Sequence, residues 1–366
     1  VVPTTPAPIQ SERPFARASA VLASAAALLA AGRAQLACTD DPQGSDLSFD
    51  GAVGAAALPA LGALAPTFVE GLGRCALRAF FDHVLRAREL EQPGPAGLDD
   101  AESGLFVHAV LDALYTDLED RGALRPGVDA ASALAAAEQL LPAALDSAAT
   151  QFRGDMQRRH PRLFEAYLDA MAASIRDFLK RDLDALLPQG VAAIESERKV
   201  SAAIDIGEGL AIQGRIDRIV YRPDGSLRVG DYKTGSFKKQ LARLEIARGR
   251  SLQLPLYTLA VAESDGTRAV SAEVLPVPRH PRRDRDEARS EERSMSLTDL
   301  ETLALPALAE VEKLLARGDF PFRSDELGCA QCPHTIACRY AQPESEARSR
   351  ASEERQPYFE LENRKP

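Results

Sequence analysis

Two carboxylates and an amine stand in a spacing that suits phosphodiester chemistry. The segment 214–235, GRIDRIVYRPDGSLRVGDYKTG, carries Asp217, Asp231 and Lys233. Val, Ile and alternating polar residues mark strands on both sides of Pro223-Asp224-Gly225, a turn signal. A hairpin folded there sets Asp217 beside Asp231, and Lys233, two residues on, points to the same face as Asp231. Paired hard carboxylates at adjacent strand ends suit Mg²⁺ or Mn²⁺. A divalent ion activates water and neutralises a phosphate, and a lysine beside it orients or deprotonates that water. Any one of these residues alone reads as surface; together, with apolar neighbours on an inward face, unpaired charge would be costly.

Sulfur supplies a second constellation. Cys329-x2-Cys332-x5-Cys338 offers three thiolates in one short segment. One reading is a Zn²⁺ site with His334 or Cys75 as fourth ligand. The other is a 4Fe–4S cluster held by Cys75 and the three late cysteines. Spacing alone leaves both open. Cys38 fits no pattern and reads as a small buried apolar residue.

GRIDRI, then GDYKTG, then LQLPLY resembles the PD-(D/E)XK nuclease superfamily, specifically its RecB/AddB branch. The resemblance implies that Asp217, Asp231 and Lys233 bind metal and catalyse, with the backbone carbonyl of Tyr232 completing the metal shell. It implies that Gln253 and Tyr257, the Q-x-x-x-Y pair, support the site or contact DNA. Gly104-Leu105-Phe106-Val107-His108 matches the family's early helical histidine, so His108 becomes a further ligand. A glutamate on the strand before the hairpin is also expected, and Glu195 and Glu197 both qualify. Relatives hold a 4Fe–4S cluster with one cysteine before the core and three after it. LGRCALRAFF and CAQCPHTIACRY fit, which assigns Cys75, Cys329, Cys332 and Cys338 to the cluster. Ala76 departs from the proline usual after the first cysteine. The cluster is expected to be structural, closing a long loop.

The elements that must position these groups are legible too. A helix capped by Thr67 is expected through Phe81, a helix over 101–119, and further helices over 131–188, the last with strong 3.6-residue periodicity. Strands follow over 195–206, 209–222, 226–233 and 269–278, with helices at 251–264 and 297–317. Residues 279–296 read as a charged loop. The fold class is α/β: a restriction-endonuclease-like core with a central mixed sheet flanked by helices, a helical insertion and a C-terminal Fe–S-bound segment. The divisions are 1–65, an N-terminal helical or linker region resembling the end of a helicase domain; 66–342, the nuclease domain, with its insertion over about 99–190, core over about 191–280 and Fe–S segment over 320–340; and 343–366, a flexible tail.

Composition bounds the rest. The chain has 366 residues, 45% hydrophobic and 27% charged, as in a globular protein. Net charge is −10, which argues mildly against a nucleic-acid partner. Basic runs at 279–285 and at Lys238, Lys239, Arg243, Arg248 and Arg250 offset this locally. No apolar run of about 18 residues exists, so no membrane span is expected. Residues 18–38 read as an Ala-rich helix over an export signal, which places the protein in the cytoplasm, without a disulfide framework. No G-x-x-x-x-G-K-[ST] loop occurs, so ATP-driven unwinding would come from a helicase subunit or domain. The expected activity is metal-dependent DNA exonuclease action in end processing or recombinational repair. The alternatives are an inactive nuclease-fold DNA-binding or scaffolding module and a zinc-stabilised interaction domain.

Overall fold

The computed structural model describes residues 29–30, 33, 46–58, 61–87, 100–152, 161–207, 209–234, 240–277, 294–324, 326–339 and 342–366. Most of the expected 18–37 helix, Cys38, Lys238, Lys239 and nearly all of the 279–296 loop lie outside them. Among the described residues, no helix is long and apolar enough to cross a membrane.

β1 (Ala193–Ile204) and β2 (Leu210–Tyr221) pair antiparallel over most of their length, and β3 (Leu227–Lys233) returns along β2. The β2–β3 turn forms as its sequence predicts. Gly225 takes φ 82°, and Asp224 Oδ1 accepts the Ser226 N–H at 2.9 Å. β3 outruns its partner: pairing with β2 ends at Arg218↔Gly230, and Asp231, Tyr232 and Lys233 are held by β4 (Val270–Pro276), parallel to β3. β5 (Ser294–Ser296) lies antiparallel to β4, giving a mixed sheet ordered β1-β2-β3-β4-β5. This is the α/β architecture expected from the sequence, with β5 in place of the last residues of the expected loop.

Helices cover both faces. α1 (Pro66–Arg74) and α2 (Ala76–Ala79) precede the sheet, and a π-turn follows at Phe80–Val84. Pro66 starts α1 one residue ahead of Thr67, so Thr67 is not its cap. α3 (Asp100–Asp120), α4 (Ala130–Gln151) and α5 (Pro161–Leu186) form the insertion. Phe106, Leu111, Leu141, Ile175 and Leu179 bury one sheet face at Ile194, Val220, Tyr232 and Leu275. α6 (Arg243–Ala247) and α7 (Gln253–Asp265) make the crossover that a parallel β3–β4 pair requires. α8 (Leu297–Arg317) begins where Ser296 Oγ accepts the Asp299 N–H at 3.2 Å and ends at Gly318, φ 64°. With α1, these helices bury the other face at Ile212, Ile216, Ile219 and Val229.

The C-terminus departs from expectation. After α9 (Glu326–Ala330), residues 343–366 are not a loose tail but fold into α10 (Pro343–Ala351) and α11 (Gln356–Glu360). Arg348 and Arg355 read as solvated charge because the acids that pair with them lie far off in sequence. Arg355, fully buried, pairs with Asp319 at 2.5 Å, and Arg348 pairs with Asp50 at 3.0 Å. Tyr358, Phe359 and Leu361 join the core beside α1 and α8.

Candidate active site

Where β3 runs past β2, side chains take over the ladder. The Tyr232 N–H donates to Asp217 Oδ2 at 2.7 Å, so the hairpin's first carboxylate replaces a strand partner. The Tyr232 carbonyl, expected in a metal shell, accepts from His108 Nε2 at 3.0 Å. A carbonyl only accepts, so this contact assigns the Nε2 proton. His108 Nδ1 then faces Asp217 Oδ1 at 3.3 Å. In a neutral imidazole these are two opposed lone pairs, and a proton or a cation must bridge them. Burial works against the imidazolium, but Asp217, and then Asp231, raise its pKa on balance.

β1 adds Glu197. It stands opposite Asp217, between the Ser196↔Arg218 and Arg198↔Ile216 pairs, with φ 51°. Both strands reverse their pleat here. Val200 and Ile204 pack beside α1 and α7, while Ile194, of the same parity, packs against the insertion. On β2, Ile216 packs on the α1 and α7 side while Arg218 points to α5. The ligand atoms of His108, Glu197 and Asp217 all lie within 4.8 Å of one another. Burial, and then Asp217, raise the Glu197 pKa. Glu195, the other glutamate considered, is turned away and accepts from the Tyr221 hydroxyl at 3.0 Å.

Asp231 and Lys233 share a face as the strand geometry predicts. Lys233 Nζ donates to Asp231 Oδ1 at 3.0 Å and lies 2.8 Å from Oδ2, which makes no hydrogen bond. Burial, with Asp217 adding to it against Lys233, pushes the Asp231 pKa up to about 6. Burial opposes the Lys233 charge, yet Asp231 holds its pKa above the usual value, so the amine is an ammonium. On α7, Gln253 stands one helical turn before Tyr257. The Tyr257 ring covers β2 so closely that a Cβ on Gly214 would stand 2.7 Å from its Cε1.

Two groups beneath the site gave no motif. Arg218, 1% exposed, meets Asp182 of α5 through two hydrogen bonds of 2.6 and 3.0 Å. Tyr115 of α3 donates to the same carboxylate, and the guanidinium lies 5.1 Å from the Tyr115 ring centre and 5.7 Å from that of Tyr232. The insertion is thereby keyed to the strand that carries the site. The second is Glu70 of α1, whose Oε2 accepts the N–H groups of Leu252 and Gln253 at 3.0 Å each. Neither could be separated from surface charge by sequence.

The four cysteines come together elsewhere. Cys75, Cys329, Cys332 and Cys338, none in a disulfide, line one cavity of about 470 Å³, along with His334, Arg74 and Arg323. Burial raises the Cys75 pKa. His334 Nε2 lies 2.6 Å from Asp82 Oδ1. Cys75 sits at the α1–α2 break with φ −160° and ψ 106°, where the Tyr358 hydroxyl donates to Leu72 O at 2.8 Å and accepts the Ala76 N–H at 3.1 Å.

A family model described as the PD-(D/E)XK nuclease superfamily matches residues 63–339. No curated protein matches the chain. Among solved structures, the crystal structure of SSO0001 is similar at 14% identity and a TM-score of 0.26, over 75% of this chain and 96% of that one. A likeness at that score carries no argument about fold or activity.

Proposed function

The chain belongs to the PD-(D/E)XK nuclease superfamily, and from that membership we propose a metal-dependent DNA exonuclease of the RecB/AddB type, working in end processing or recombinational repair as part of, or beside, a helicase–nuclease. The observation that carries the reading is the convergence of His108, Glu197 and Asp217 beside the ion pair of buried Asp231 and half-buried Lys233.

The donor set suits Mg²⁺ or Mn²⁺: carboxylate oxygens with one imidazole. The facing His108 and Asp217 atoms fit a divalent cation, with the Asp231 carboxylate, ion-paired to Lys233, beside them. Asp217, Asp231 and His108 are the proposed ligands, with Glu197 added and the Tyr232 carbonyl at the rim. Bound there, the metal supplies Lewis acidity toward water and the scissile phosphate. Lys233, an ammonium, donates to phosphate oxygen or orients the attacking water. Gln253 and Tyr257 brace α7 against β2. These contacts address the phosphodiester and carry no base information.

For the cavity we propose a 4Fe–4S cluster on Cys75, Cys329, Cys332 and Cys338. A tetrahedral zinc with Zn–S near 2.3 Å would draw its sulfurs to within about 4 Å of each other. Among the described residues, the cysteines form no group that closes to 4.8 Å, which favours the larger cluster. The proposed nuclease domain runs from about residue 66 and takes in 343–366, which packs into its core, and 1–65 is the proposed junction with a helicase.

The test is cleavage of end-labelled linear DNA by anaerobically purified full chain. Cleavage should require Mg²⁺ or Mn²⁺, stop with chelator, and come with a brown colour. A folded, brown protein that leaves DNA intact would favour the binding-module reading; a colourless, zinc-loaded protein would replace the cluster.

The metal site also sets a pH dependence and a strain. Mn²⁺ binding must displace the proton that Asp231 holds below about pH 6, so titration calorimetry should show proton release and weaker binding in acid. An affinity flat between about pH 5 and about pH 8 would remove Asp231 from the ligand set. Glu197→Gly should raise metal-free stability by about 1 kcal/mol, because glycine takes φ 51° without strain. The same change should weaken Mn²⁺ binding about tenfold. Reduced metal-free stability would show that the residue is not strained.

A further inference from the structure

We propose that Glu70 is a positioning residue that couples the cysteine site to the helix bracing the active site, an inference resting on the reading of both sites above. Glu70 is buried on α1, the helix that ends at Cys75. Its Oε2 takes the Leu252 and Gln253 N–H groups, two of the donors a helix start leaves without partners. The residue at the local cap position of α7 is Leu252, which has no side-chain acceptor, so the cap comes from another element.

Other contacts make the junction rigid. Glu70 Oε1 lies 2.5 Å from Arg74 Nη2, and Arg74 Nε donates to Arg250 O at 2.7 Å. A Cβ on Gly73 would stand 1.9 Å from Gly249 O, so only glycine permits this backbone approach. Arg323 donates to Gly73 O at 2.5 Å and to Arg248 O at 3.3 Å. The last turn of α1 and the segment 248–253 therefore move as one piece. One end of that piece is Cys75, in the sulfur-lined cavity; the other is Gln253, one helical turn before Tyr257, whose ring lies over β2 at Gly214. Occupancy of the cavity fixes Cys75, and Glu70 carries that constraint to α7.

The test combines hydrogen–deuterium exchange and cleavage kinetics on full chain: wild type, Glu70→Gln, Cys332→Ser and the double variant. Cys332→Ser leaves the α1 break itself intact. Glu70→Gln should speed exchange at the Leu252 and Gln253 amides about tenfold. It should lower kcat about tenfold with KM for DNA shifted less than about threefold, and keep the visible absorption. Cys332→Ser should speed the same two amides, but add nothing once Glu70 is replaced. Loss of colour in Cys332→Ser with unchanged exchange at both amides would overturn the coupling, as would additive effects in the double variant. If the wild type fails to cut DNA, the nuclease reading falls while the exchange measurements still decide the coupling. Should Glu70→Gln fail to fold, Arg74→Met, altering a half-exposed side chain, substitutes: faster exchange at the two amides supports the link and unchanged exchange rejects it.

Discussion

Lys233→Ala is expected to lower metal-dependent DNA cleavage by about a thousandfold or more while the protein stays folded and coloured. The amine is a half-buried ammonium on the Asp231 carboxylate, with Asp217 and Glu70 adding to its charged state. Removing it deletes the cation paired with Asp231, beside the proposed metal ligands, where charge would develop on a phosphate. Its loss also strips Asp231 of its counter-ion, so the Asp231 pKa should climb further and metal binding should demand higher pH. Lys233→Arg should not rescue, since a planar fork cannot replace a compact ammonium in this space. Single-turnover rates at saturating Mn²⁺ separate the two effects. A variant that regains wild-type rates simply with more metal would make Lys233 a metal-affinity residue and not a participant in hydrolysis.

The second large effect concerns stability. Asp182→Ala should destabilise the fold by about 3–5 kcal/mol, because it leaves the Arg218 guanidinium buried without a partner. Replacing both partners, as in Asp182→Leu with Arg218→Met, should recover most of that loss. Urea unfolding of the three proteins measures this. If the double replacement is as unstable as the single, the pair is needed for more than charge balance, and the Tyr115 hydroxyl left behind carries the remaining cost. The same variant should lose cleavage beyond its loss of stability, since Arg218 lies beneath the Tyr232 ring whose backbone meets both Asp217 and His108.

What sequence made legible was local in origin. Pro223-Asp224-Gly225 set the hairpin, and alternation set its strands, so local rules alone put Asp217 and Asp231–Lys233 on neighbouring elements. The long helices were bounded by the same logic: 297–317 was expected and Leu297–Arg317 is found. Three things were hidden. The choice of Glu197 over Glu195 depends on a pleat reversal and a positive φ at glutamate, and no alternation pattern signals either. Arg218 and Asp182 are keyed across two elements, so each alone reads as ordinary charge. Arg348 and Arg355 made 343–366 look like solvent-facing tail because Asp50 and Asp319 lie far from them in the chain. Partnership across long sequence distances is where composition misleads.

The hydroxyl of Tyr358 closes the backbone break at Cys75 from 282 positions away. A ribosome adding about 5–20 residues per second needs roughly 15–60 s to span that distance. Through that interval the early cysteine sits in a segment whose Leu72 carbonyl and Ala76 amide lack their eventual partner, and for most of it Arg323 and the late cysteines do not yet exist. The sulfur lining of the cavity is thus complete only once Cys338 has been made, and the break that holds Cys75 is closed only once Tyr358 follows. An occupant held by all four cysteines therefore meets a chain in which the nuclease core between them is already synthesised.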